Sequence, residues 1–225
     1  MCNDYDVPEQ LDLFEVDVPP GWVPPSKRHI FRNYPAPFIR RPHAAGIGDD
    51  AVPDRELLIG QFALLPYWSK TRKIKFLTTN ARAEEVTAKA AYKGPWARGQ
   101  HCIIPAQAIY EPDWRTGSHV KVRIGRSDAR PMGIAGLWDQ WKDAPSGEII
   151  LSFTMLTINA DSHPLMRNFH RADPKTGDDE KRMVVILPEA QYGEWLLAAP
   201  DRSMEFMQQF PADKLSAAPA GALDW

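Results

Sequence analysis

VKVRIGRSDARPMGIAGLWDQWKDAPSGEIILSFTMLTIN, residues 120–159, is the stretch whose reading decides the fold class. Val120, Val122 and Ile124 alternate with Lys121 and Arg123, as a strand with one solvated face requires. Residues 132–141 and 149–159 are two further strand-like runs, and the turns between them are charged or contain Gly. Short turns, not helices, join these runs. The pattern recurs outward on both sides. Residues 56–65 read as a strand running into the turn Pro66-Tyr67-Trp68, and 101–110 as an apolar β-like run broken at Pro105. Residues 183–187 read as a short buried strand. Helices are expected at 83–92, with Thr79 or Asn80 as N-cap, at 188–197, with Pro188 in the first turn, and at 202–209. Residues 18–55 are rich in Pro and Arg and read as an irregular, partly extended arm. The sum is an α+β fold: a single compact domain with a mixed, mostly antiparallel, curved or barrel-like sheet and peripheral helices. The domain is expected over 1–210, with 211–225 an Ala/Pro-rich loose tail.

The chain has 225 residues, 44% of them apolar, enough for a real core. No apolar run approaches the ~20 residues that span a bilayer. The start, Met1-Cys2-Asn3-Asp4-Tyr5-Asp6, is acidic and polar, unlike a signal peptide. Two cysteines, Cys2 and Cys102, make no disulfide framework, so a reducing, cytoplasmic setting is expected. Cys102, between His101 and Ile103, reads as a buried small hydrophobe. There is no Cys-x-x-Cys, and the six His lack ligand spacing, so no metal is expected. No Gly-rich phosphate loop and no Gly-x-Ser-x-Gly elbow is present, and no cofactor is expected.

The net charge of −2 conceals an asymmetry. Residues 1–20 carry six acids and no Lys or Arg. Residues 61–130 carry thirteen Lys/Arg against five Asp/Glu, and 131–225 carry eight against fourteen. The basic middle also holds Tyr67, Trp68, Tyr92, Trp96, Tyr110 and Trp114. Cations interleaved with rings suit a single-stranded nucleic acid, whose phosphates meet the charges and whose bases stack. A solvated basic face over core aromatics gives the same composition, so composition alone leaves both open.

Cys2 carries the sharpest chemistry. Once Met1 is removed, an α-amine titrating near pH 8 and a thiol near 8.5 share one carbon frame. Such a 1,2-aminothiol traps an aldehyde: the amine forms an imine and the thiol closes a thiazolidine. The bland alternative is a frayed terminus. Candidate helpers are polar residues in apolar contexts. Glu111 ends an apolar run, where desolvation would raise its pKa and suit it to proton transfer; its alternative is a surface turn. Asn80 orients an amine or merely caps a helix. His170 shuttles a proton or is a solvated loop residue, and His163 is its rival.

In this order the pieces resemble the SRAP family, the SOS-response-associated peptidases, also called abasic-site processing proteins. The segments that carry the resemblance are Met1-Cys2, GQFALLPYWSK (60–70), Asn80-Ala81-Arg82-Ala83-Glu84, AYKGPWAR (91–98), HCIIPAQAIYE (101–111), AGLWDQW (135–141), FTMLTINA (153–160), and His170 followed by RMVVIL (182–187). The resemblance implies a monomer that binds single-stranded DNA and crosslinks to abasic sites through Cys2 after Met1 removal. It implies that Asn80 orients the Cys2 amine and the sugar, that Glu111 moves protons, and that His170 assists sugar opening. Arg82, Arg182 and Trp68 would contact the strand. The protein would associate with the nucleoid when bound. Two other functions remain open: a non-covalent single-strand binder with an inert Cys2, and an N-terminal-nucleophile autopeptidase.

The chain departs from the family pattern in four places. Asp4 stands where the family's Cys-Gly-Arg start has Arg. Two unit charges about 4 Å apart interact by roughly 4 kcal/mol at an effective dielectric of 20, so Asp4 is expected to repel phosphate and weaken DNA binding. Phe62-Ala63 replaces a Trp-Gly pair, and Glu111-Pro112 replaces Glu-Trp. A charged insertion, RADPKTGDDEK (171–181), separates His170 from Arg182.

Overall fold

In the computed structural model, residues 3–16, 28–42, 53–172 and 176–221 are described. The long run that opened the reading becomes three strands. β8 (Val120–Arg126), β9 (Met132–Lys142) and β10 (Ile149–Asn159) are joined by short turns. Upstream lie β1 (Asp4–Asp6), β2 (His29–Phe31), β3 (Pro35–Arg40), β4 (Glu56–Phe62), β5 (Asn80–Arg82), β6 (His101–Ala106) and β7 (Ala108–Asp113). Downstream lie β11 (Arg182–Val184), β12 (Ile186–Leu187) and β13 (Leu215–Pro219). Two short helices, α1 (Lys93–Ala97) and α2 (Tyr192–Leu197), lie outside the sheets.

One sheet closes on itself. Its path runs β10-β4-β3-β6-β9, and β9 pairs back with β10, giving a five-stranded barrel. Most ladders are antiparallel; β4 and β5 meet β10 in parallel. Closure needs close packing where β9 passes between β6 and β10. Gly136 stands opposite Cys102 on one side and Met155 on the other, and a Cβ there would collide with Ile104 and the Thr154 carbonyl. The second sheet has order β13-β8-β7-β1-β2, so the N-terminal strand lies between β7 and β2. Tyr5 anchors it. Its side chain is fully buried and meets Phe62 edge-on at 5.2 Å. Burying such a ring contributes roughly 2–3 kcal/mol and fixes where the chain enters the fold.

Four expectations are corrected. The segment 83–92, expected as a helix, follows β5 as a 3₁₀ turn, Ala83–Glu85, and further turns, and α-helix begins only after it, at α1. Ala83, Val86 and Tyr92 are buried there, and tertiary packing overrides the local helix propensity. The 101–110 run breaks at Gln107, not Pro105, which lies within β6 opposite Gly133. The arm at 18–55 includes two paired strands, β2 and β3. The tail at 211–225 is not loose over Leu215–Pro219, which pairs as β13 with Val122–Arg126 of β8. The helices expected at 188–197 and 202–209 are realised as α2 behind a 3₁₀ turn and as the 3₁₀ segment Ser203–Phe206.

Candidate active site

β7 carries Glu111 into the interior, where its side chain is 1% exposed. His170 Nε2 lies 2.5 Å from Glu111 Oε2. The backbone holds this contact in place. His170 N–H donates to the Pro112 carbonyl at 2.8 Å, and Phe169 bridges to Asp113. His170 sits in the left-handed region at φ 63, an uncommon conformation for a residue with a Cβ. Strain of this kind gathers at functional sites. The insertion does not displace His170, because Lys181 Nζ donates back to the His170 carbonyl at 3.2 Å and closes the loop at its base.

Cys2 lies outside the described residues, but its neighbour Asn3 does not. Thr79 Oγ1 donates to Asn3 Oδ1 at 3.1 Å and accepts from Asn80 Nδ2 at 3.1 Å. Asn80 is therefore coupled through one hydroxyl to the residue that follows Cys2. β1 pairs with β7 as Tyr5 with Ile109 and Asp6 with Ala108, a register that runs back toward Glu111 as β1 runs toward Asn3. The structure thus brings Glu111, His170, Asn80 and the start of the described chain to one end of β7.

Beside Asn80 lies a groove of about 370 Å³, lined by Trp68, Phe76, Leu77, Arg82 and Tyr92 among others. Trp68 stacks on Phe76 with ring centroids 5.7 Å apart, and both are exposed. Three hydrogen bonds from two distant side chains shape this loop. Arg32 Nη2 donates to the carbonyls of Ile74 and Phe76, and Trp141 Nε1 donates to Ser69. Tyr92, Trp96 and Tyr110 are buried, so the aromatic half of the basic middle divides between core and surface. Phe76 is a groove residue the sequence reading missed; its signal was an aromatic directly after the basic run Lys70–Lys75.

Arg82 is part-exposed and lies 3.0 Å from Glu180 and 3.7 Å from Asp178. Arg182 corrects an expectation. It is 2% exposed, engages Glu84 through both terminal nitrogens, lies 2.7 Å from Glu180, and donates to the Thr157 carbonyl at 2.8 Å. The Arg182 hydrogen bond in turn holds Glu84 below the ordinary carboxylate range. Arg182 is a buried tie between β11 and the turn after β5, not an exposed strand contact.

The repulsion expected from Asp4 is also corrected. Asp4 Oδ2 lies 2.5 Å from Lys121 Nζ and 2.9 Å from His29 Nε2. His29 Nδ1 lies 2.8 Å from Asp6 Oδ1, so the imidazole bridges two carboxylates. Tyr110 Oη donates to Asp6 at 2.7 Å, and Arg123 lies 3.6 Å from it. Burial opposes charge on His29, but hydrogen bonds to Asp4 and Asp6 outweigh it and raise its pKa to about 9. Burial would raise the Asp6 pKa, and bonds from His29 and Tyr110 bring it below the ordinary value.

The rival His163 is a buried joint. Nε2 lies 2.8 Å from the Phe210 carbonyl, and Nδ1 accepts from the Met166 and Leu165 amides. Both ring nitrogens are occupied. Cys102 is fully buried, and desolvation pushes its thiol pKa well up. At Ala63 φ is 108, where glycine fits and alanine is strained. The described residues hold no cluster of three or more metal-ligating side chains and no helix long and apolar enough to cross a membrane.

A family model described as SOS response associated peptidase (SRAP) matches residues 21–222. A Bacillus subtilis relative named abasic site processing protein YoqW is 29% identical over 163 residues, 70% of this chain and 66% of that protein. The Gallus gallus protein named abasic site processing protein HMCES is 27% identical over 144 residues, 55% of this chain and 42% of that one. The match therefore spans just under two thirds of the Bacillus relative and less than half of the avian one. A crystal structure of a protein from Bordetella bronchiseptica is 40% identical, with a TM-score of 0.82, covering 98% of this chain and all of that one. A barrel closed by β9 and β10, a buried Glu111 meeting His170, and a family match over most of the length agree: the chain belongs to the SRAP family.

Proposed function

We propose that this protein captures abasic sites in single-stranded DNA by forming a thiazolidine with Cys2. The reading rests on one observation: the buried Glu111–His170 pair lies toward the end of β7 beside which the N-terminal strand begins. Removal of Met1 frees the Cys2 amine. The ring-opened deoxyribose presents an aldehyde. The amine adds to its carbon, water leaves, and an imine forms. The thiol then adds to the imine carbon, its proton passes to nitrogen, and the five-membered ring closes. Two proton movements accompany the loss of water. Glu111, buried and 2.5 Å from His170 Nε2, supplies and accepts them. His170 assists opening of the sugar. Asn80, tied through Thr79 to Asn3, orients the amine. Trp68 and Phe76 offer faces for bases, and Arg82 meets phosphate. Arg182 supports the site from within. The protein acts as a monomer in the cytoplasm, on the nucleoid, without metal or cofactor.

The test is a denaturing gel and intact mass after incubation with an abasic oligonucleotide. Wild-type protein lacking Met1 is expected to give a heat-stable adduct. Cys2→Ala gives none, and Glu111→Gln slows its formation about 10²–10⁴-fold while binding to undamaged strand persists. A heat-stable adduct from Cys2→Ala, or from protein that retains Met1, overturns the aminothiol chemistry. Strand binding without any adduct leaves a non-covalent binder.

A further inference from the structure

We propose that the acids Glu180 and Asp178 set the specificity of the groove by competing with DNA phosphate for Arg82. The proposal rests on the reading above, in which the groove holds a single strand beside Cys2. Arg82 Nη1 lies 3.0 Å from Glu180 Oε2, and Nη2 lies 3.7 Å from Asp178 Oδ2. The acids are delivered by a built turn, not by a stray contact. Lys181 N–H donates to Asp161, and the Lys181 carbonyl accepts from Ala160, which fixes the turn to the end of β10. Glu180 N–H donates to Asp178 Oδ1. The other oxygen of Glu180 is held by Arg182 at 2.7 Å and by Asn159 at 3.2 Å. The second cation lining the groove, Lys89, lies 3.7 Å from Glu85. Among the described residues, both cations that line the groove therefore already face a carboxylate.

A phosphate reaching Arg82 must displace these acids. The penalty falls equally on damaged and undamaged strands, because their phosphates are the same. Its consequences differ. An undamaged strand has only non-covalent contacts, and weakening one shortens its stay. An abasic strand is retained by a bond to Cys2 that no carboxylate opposes. Undamaged DNA blocks capture only when its concentration reaches its own dissociation constant. Raising that constant keeps the site open in the presence of excess intact strand. Glu180 and Asp178 thus act as specificity determinants through Arg82.

The experiment uses the full chain, Glu180→Gln and Asp178→Asn, with an undamaged single-stranded oligonucleotide as probe and competitor. Affinity for that probe at about 50 mM salt is expected to rise about fivefold in Glu180→Gln and about twofold in Asp178→Asn, each gain shrinking at high salt. The concentration of undamaged strand that halves crosslinking to an abasic oligonucleotide falls in parallel. Glu180→Gln also removes a partner of buried Arg182, so if that variant does not fold, Asp178→Asn, which touches only Arg82 of the two arginines, carries the test. Unchanged or weaker affinity in the folded variants overturns the proposal while leaving capture by Cys2 standing. Absence of an adduct with wild-type protein overturns the capture reading instead, and the two failures are read from different lanes.

Discussion

Two regions put acids where a nucleic-acid binder would be expected to avoid them, and the structure treats them in opposite ways. On β1, Asp4 and Asp6 are drawn into a set of three cations, with Lys121, His29 and Arg123 all within 3.6 Å of a carboxylate oxygen. The side chains of Asp4, His29 and Lys121 are only 10–16% exposed, so these charges belong to the architecture of the second sheet. On the turn before β11, Asp178 and Glu180 lean on Arg82, and Asp178 is about half exposed. The first departure from the family pattern is compensated within the fold. The second is also met by cations, but one of them, Arg82, is thereby withheld from the groove. An acid's effect on DNA binding is therefore set by which cation it faces and how much water remains, not by its presence near the site.

The comparison breaks most readily at Lys121. Lys121→Met leaves Asp4 largely buried with one cation fewer, and we expect a loss of about 2–3 kcal/mol in urea unfolding. Adding Asp4→Asn should return most of that loss, since the second change removes the charge the first one stranded. Asp178→Asn is expected to stay within about 0.5 kcal/mol, as exposed substitutions do. If Lys121→Met costs no more than Asp178→Asn, Asp4 is not compensated and the contrast fails.

His29 sharpens the comparison through pH. The groups facing it are Asp4 and Asp6 from β1, Tyr110 from β7, Lys121 from β8 and Phe31 from its own strand. Its folded pKa is raised from 6.5 to about 9. The stability it contributes is thus fully present below about pH 6.5 and is lost as pH rises through about 9. Asp6 has the opposite sign: its lowered pKa contributes stability above the ordinary carboxylate range that is lost on acidification. Wild type should exceed His29→Gln by about 1–2 kcal/mol at pH 6, with the gap closing by about pH 10. A gap that does not change with pH would show that His29 serves as a neutral spacer.

Much of the fold was legible because strand signals are local. The alternation in 120–124 marked β8, and the apolar runs marked β9 and β10 to within a residue of their ends. The same alternation placed Lys121 off the core face but gave no hint that it would meet Asp4, 117 positions earlier in the chain. Glu111 and His170 are likewise distant in sequence, and no spacing rule joins them; only the ordered resemblance put both on one site. The helix expected at 83–92 failed for the converse reason. Ala, Lys and Glu favour helix locally, but the burial of Ala83, Val86 and Tyr92 behind the paired strand Asn80–Arg82 outweighed propensity. The Ala/Pro composition of 215–219 looked unstructured, yet the open edge of β8 supplied a ladder for it.

A third departure tests whether every change from the family pattern finds compensation. Ala63 stands where the family's Trp-Gly pair has Gly, and its φ of 108 lies in a region that an L residue rarely adopts. The conformation is imposed from both sides: Ala63 N–H donates to the Phe153 carbonyl at 3.1 Å, and Leu64 N–H donates to Thr78 at 3.2 Å. Those bonds join the end of β4 to β10 and to the segment leading into Asn80, so the backbone cannot relax without loosening the site. Unlike Asp4, Ala63 has no partner that could absorb the misfit, because the strain lies in its own backbone. Ala63→Gly should relieve it. Glycine also loses more conformational entropy on folding, by roughly 0.5–1 kcal/mol, which opposes the gain. Relief of a strained positive φ is worth about 1–2 kcal/mol, so the net expectation is a stabilisation of about 0.5–1 kcal/mol in urea unfolding with the crosslinking rate unchanged. A loss of stability would mean that Ala63 is accommodated as Asp4 is.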